Sequence, residues 1–135
     1  MFSDVYRRHR HISKLKKERQ NERKKRISGN NNIDEIAWRD DALRIKSGIH
    51  EVSQKKANEL GIYDMSGNVC EWCSDSWHRY SSESQRDPIF ISADNEKVIR
   101  GGGWYSGEQY CRVVSRESSK KGDGDIGMRL VLSVK

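Results

Sequence analysis

Apolar residues are scarce in this chain. Only 33% of its 135 residues are hydrophobic, the mean hydropathy is -0.98, and 34% of residues are charged. A chain so polar is expected to leave part of its length outside any packed core. No apolar run approaches the roughly 20 residues needed to span a bilayer, so no membrane segment is expected. The N-terminal stretch "MFSDVYRRHRHISKLKK" is basic but lacks the apolar region of a secretory signal, a reading that places the protein in the cytoplasm. Cysteine is sparse and odd in number, three in all, which excludes a complete disulfide framework and leaves at most one bridge beside a free thiol. Cys70 and Cys73 stand at C-x-x-C spacing, but no second pair and no H-x-x-x-H motif exists to complete a zinc site. Nor do the surroundings offer the βαβ pattern of a thioredoxin-like pair. His50 and His78 are isolated from one another.

The charge that is present is uneven. Residues 1–27 hold eleven Lys and Arg against Asp4, Glu18 and Glu22, whereas the remainder is slightly acidic, so the net charge of +6 belongs to the tail. Within "RRHRHISKLKKERQNERKKR", Ile12 and Leu15 are the only aliphatic residues, too few to give a helix a buried face. Such a run can bind nucleic acid by neutralising phosphates. No aromatic residue interleaves its charges, as single-strand binding would want, so a solvated tail is the simpler reading and nucleic acid is not the expected partner. "SGNNNID" then marks a boundary, and residues 28–135 are read as the globular part, holding all four tryptophans.

Within that part the strand period is visible near the C-terminus. Ile126, Met128, Leu130, Leu132 and Val134 alternate with Gly127, Arg129, Val131 and Ser133, which predicts a strand. "YCRVVSR" alternates less cleanly and is read as a second strand, and "KVIRGGGWY" places a third before a glycine run where backbone or ligand can approach closely. Residues 53–80 are rich in turn formers. The expected class is α+β, loop-rich, with a small antiparallel sheet. In "KKGDGDIG" the twelve-residue ligand pattern of an EF-hand is missing, so Asp123 and Asp125 are expected to be turn residues.

The ordered blocks "NELGIYDMSGNVCEW", "VIRGGGWYSGEQYCRVVSR" and "IGMRLVLS" resemble the formylglycine-generating enzyme (sulfatase-modifying factor) family. The resemblance covers roughly residues 28–135 and is similar to the C-terminal half of that family's domain. It implies a C-type-lectin-like α+β fold, here incomplete. Members of the family convert a cysteine of a sulfatase peptide to formylglycine, using oxygen and a copper ion held by two cysteine thiolates, soft ligands suited to Cu(I). Counted along "RGGGWYSGEQYC", the second thiolate falls on Cys111 and the first on Ser106. A serine hydroxyl is a poor Cu(I) ligand, and Cys111 also reads as a small packed hydrophobe.

The resemblance therefore implies a domain without oxidase activity, acting as a lectin-like binding or display module. Its ligand would be a small molecule, glycan or peptide met by Trp104 and Tyr105. An oxidase with an altered site, or a fragment completed by a partner chain, is the alternative. The family's calcium loop maps onto the carboxylates of Asp64 and Glu71 and the carbonyls of Gly67 and Val69, and calcium's demand for oxygen ligands suits them. The competing reading is that Asp64 caps a turn and Glu71 pairs with an arginine.

Overall fold

The computed structural model describes residues 27–29, 32–40, 48–82 and 88–131. The basic run at residues 7–26 lies outside them. The described part is mostly loop around one four-stranded sheet, with a single 3₁₀ turn at Ile33–Glu35. Strand β1 spans Cys70–Ser76, β2 Lys97–Arg100, β3 Glu117–Ser119 and β4 Ile126–Gly127. Their spatial order is β3-β2-β1-β4.

A short β-branched pair between two longer cationic residues makes β2 a strand buried on both faces. Val98 and Ile99 are buried while Lys97 and Arg100 at its ends are half-buried, so the short central strand packs on both faces. It runs antiparallel to β1, with Glu71 opposite Arg100 and Trp72 opposite Ile99, and antiparallel to β3. A register shift separates Trp72 from Ser76, and Ser76 is wholly buried. Its hydroxyl accepts from the backbone N–H of Ser92 at 2.9 Å and from Lys97 Nζ at 3.1 Å, which satisfies a polar group shut away from water.

Two strand expectations are corrected. The C-terminal strand is only Ile126–Gly127, and it pairs parallel to β1 rather than antiparallel, Cys70 facing Ile126. Residues 128–131 continue without strand pairing, and residues 132–135 lie outside the described part. "YCRVVSR" is not a strand. Local bonds fold it instead: the N–H of Tyr110 donates to Gly107 O, that of Cys111 to Glu108 O, and that of Ser115 to Arg112 O. These three-residue closures consume the groups a ladder would need. The expected strand before the glycines is present as β2, and the Asp123–Asp125 segment is a turn, closed by the Ile126 N–H on Asp123 O at 3.1 Å.

The apolar centre joins Ile27, Ile33, Ile36, Ala37 and Cys111. Ile27, which the sequence placed at the end of the tail, is thus part of the packed body at 4% exposure. The segment from Asn32 to Asp40 reaches the sheet side through Trp38, whose carbonyl accepts from Asn68 N–H at 2.6 Å. At Gly67 the backbone is left-handed (φ +75°), and a Cβ there would overlap the Trp38 carbonyl, so only glycine fits.

Candidate functional site

The chemistry-bearing residues collect where the turn at residues 64–69, the glycine run after β2 and the turn at residues 104–111 meet. Backbone bonds weld the three. Gly67 N–H donates to Gly101 O at 2.8 Å, Trp104 N–H to Asn68 O at 2.8 Å, and the Ser66 hydroxyl to Cys111 O at 3.1 Å.

Cys111 and Ser106, the two positions singled out by the family resemblance, lie side by side. A Cβ on Gly102 would lie 3.0 Å from Cys111 Sγ and 3.2 Å from Ser106 Cβ, so both side chains flank the same glycine. Both residues are buried. The Ser106 hydroxyl accepts from Gly103 N–H at 2.9 Å, closing a turn with the Ser106 N–H on Gly103 O. Burial pushes the Cys111 thiol up to about 11, against the pull of Arg39 and of the Gly67 N–H. A protonated thiol beside a hydroxyl engaged in the backbone is not the two-thiolate set that Cu(I) takes, so these residues do not fit the copper site.

Cys70 and Cys73 do not make a pair. They lie three residues apart on β1, and the strand period of two sends them to opposite faces. Both are buried free thiols. Burial pushes Cys70 up to about 12, with the carboxylates of Glu117 and Asp125 adding to it. Burial likewise pushes Cys73 up to about 11, while the Arg100 side chain pulls the other way. Among the described residues no group of three or more His, Cys, Asp and Glu is placed to hold a metal ion.

The Asp64–Glu71 loop is built around an arginine. Arg129 donates from Nε to both Glu71 oxygens, at 3.2 and 3.1 Å. Its Nη2 donates to Glu71 Oε1 at 2.6 Å and to the Asp64 carbonyl at 3.2 Å. The Glu71 side chain is only 9% exposed. Asp64, itself left-handed at φ +55°, accepts from Ser53 N–H at 2.7 Å through its carboxylate. Calcium wants six to eight oxygens directed at it. Here a guanidinium stands against the Glu71 carboxylate and one carboxylate oxygen of Asp64 caps a turn, so the expected set of Asp64, Gly67, Val69 and Glu71 does not fit the ion as arranged.

Trp104 is half-buried and Tyr105 is exposed, their rings meeting edge to face at 5.5 Å. The Tyr105 hydroxyl donates to the Asp125 carboxylate, which raises its pKa above the ordinary tyrosine value. Further participants had no role in the sequence reading. Asn68 clamps the loop at His50 from both sides, accepting from its N–H at 2.9 Å and donating to its carbonyl at 3.0 Å. His50 stacks flat on Trp38 at 3.8 Å, and Lys55 Nζ lies 4.0 Å from the centre of a Trp38 ring. The asparagine after Ser-Gly, a residue that tolerates the left-handed backbone seen here at φ +65°, was the available signal for Asn68. An arginine on Glu71 was the competing reading of the loop, but nothing singled out Arg129, and His50 carried no signal.

Residues 8–134 match the sulfatase-modifying factor enzyme 1-like domain (FGE-sulfatase), a longer match than the motifs alone had indicated. The chaperone protein LppX of Paenibacillus barcinonensis is 35% identical over 123 residues, which is 78% of this chain and 41% of that protein. The formylglycine-generating enzyme of Thermomonospora curvata is 35% identical over 78 residues, 52% of this chain and 26% of that protein. Among solved structures, Treponema denticola variable protein 1 superposes with TM-score 0.65 at 31% identity, covering 73% of this chain and 37% of that one. PvdO from Pseudomonas aeruginosa superposes with TM-score 0.60 at 26% identity, covering 71% and 40%. The chain thus spans well under half the length of these relatives. Its fold is the C-type-lectin-like fold of the formylglycine-generating enzymes. The chain belongs to the sulfatase-modifying factor family.

Proposed function

We propose that this chain is a sulfatase-modifying factor family domain that does not oxidise cysteine and acts as a binding or display module. The observation that carries the reading is Ser106. It stands beside Cys111 at Gly102, where copper chemistry would need a second thiolate, and its hydroxyl is engaged by the backbone of its own turn. The turn it closes presents Tyr105, 48% exposed, with Trp104 beneath its edge. An amphipathic aromatic pair on a rigid turn suits stacking on a glycan ring or a peptide. That a relative over most of this chain is named a chaperone agrees with binding without oxidation.

The test uses the full chain with copper, oxygen and a peptide carrying Cys-x-Pro-x-Arg, read by mass spectrometry. The expected result is an unchanged peptide cysteine. Aldehyde formation that depends on Cys111 would overturn the reading in favour of an oxidase with an altered site, the activity named for the Thermomonospora curvata relative.

A further inference from the structure

We propose that Arg129 is the resident cation of the Asp64–Glu71 loop, which takes no divalent ion because a guanidinium from beyond β4 neutralises it. Four donor contacts carry this. Three go to the two oxygens of a nearly buried carboxylate and the fourth to the carbonyl of Asp64, at 2.6–3.2 Å. The fork of a guanidinium is suited to such a bidentate hold, because its donors are fixed in a plane that matches a carboxylate. A carboxylate removed from water needs a positive partner. Arg129 supplies that partner from 58 residues away, so no ion has to be recruited from solution.

The contact also couples two parts of the fold. Arg129 lies two residues beyond β4, and Glu71 is the β1 residue paired with Gly127. The ion pair thereby holds the short parallel β1–β4 pairing shut, in the way a bound metal ties the ends of a loop. Around the Glu71 carboxylate, Arg129 comes from the segment after β4, and Arg100 is its cross-strand neighbour on β2. The Arg100 guanidinium turns to the carbonyls of Val113 and Ser115, which leaves Arg129 as the cation on Glu71.

Thermal melts of the full chain, followed by near-UV circular dichroism in millimolar calcium and in EDTA, test the proposal alongside tryptophan-sensitised terbium emission. The expected result is one melting temperature in both buffers and no terbium signal that Glu71→Gln removes. Arg129→Met is expected to melt about 10 °C lower, because Glu71 is left without its partner. Arg129→Lys keeps the charge without the fork and should fall between the two. In both variants the Cys70 amide, which donates to Asp125 O beside β4, should exchange faster with solvent. A calcium-dependent rise in the wild-type melt that disappears in Glu71→Gln would overturn the proposal, as would Arg129→Met melting with wild type. If Arg129→Met yields no folded protein, Arg129→Lys carries the comparison, and wild-type melting of that variant overturns it.

Discussion

Gly67 lies where the 64–69 turn crosses the Trp38 carbonyl, with a left-handed backbone and no room for a methyl group. Gly67→Ala is therefore expected to cost at least about 3 kcal/mol, combining backbone strain with a forced shift of the backbone at Trp38, measurable by urea unfolding. The thiols make a second prediction at this scale. In the unfolded chain they release protons near their ordinary value of 9.0, whereas burial holds Cys73 and Cys111 to about 11 and Cys70 to about 12. Across that interval the folded state binds more protons than the unfolded state. The stability from these groups is therefore complete below pH 9 and falls as pH rises through 11–12. Urea midpoints measured from neutral to alkaline pH should show this decline. At pH 8 a disulfide-exchange reagent should react slowly with the native chain and release all three thiols once it is unfolded.

At the scale of elements, β1 decides which chemistry is open to its cysteines. A C-x-x-C in a turn can close on a metal or on itself; the same spacing in a strand divides its sulfurs between two faces. Adding zinc or an oxidant should leave the melting temperature unchanged. Arg100 does comparable work at the end of β2, donating to the carbonyls of Val113 at 3.2 Å and Ser115 at 2.9 Å and to the Tyr80 hydroxyl at 3.0 Å. Arg100→Met should lower stability by about 2 kcal/mol, and Arg100→Lys should recover only part, because one ammonium cannot serve three acceptors so placed.

This is also the scale at which the sequence was partly legible. β2 was readable because "KVIR" runs into glycines, and Ser106 and Cys111 were singled out together only through the family resemblance. The turn at residues 108–114 misled because "CRVV" has strand-like composition, while the bonds that decide it are local and the Arg100 contacts that fix it are distant. The parallel β1–β4 pairing and the identity of the arginine that meets Glu71 were out of reach for the same reason. Both contacts join residues more than fifty positions apart, and no periodicity records such a pairing.

For the whole molecule, the described surface carries many large apolar side chains, among them Leu130 at 80%, Val52 at 73%, Ile91 at 67% and Met128 at 63% exposure. Met128 and Leu130 flank Arg129 beside the sheet edge formed by β4. A folded chain of this kind should enhance the emission of a hydrophobic dye such as ANS, and Leu130→Gln together with Ile91→Gln should reduce it. Unchanged emission in that variant would locate the dye elsewhere. No helix among the described residues is long and apolar enough to cross a membrane.

The outer edge of β1 is closed by a strand that leaves the ribosome long after β1 itself. The antiparallel β1–β2 hairpin can form early in synthesis, but its other flank stays bare until Ile126 and Gly127 emerge and Arg129 reaches Glu71. During that interval a half-made sheet offers a strand edge and an unneutralised carboxylate to whatever is nearby. Of the described partners of β1, β2 is thus available first and β4 with Arg129 later.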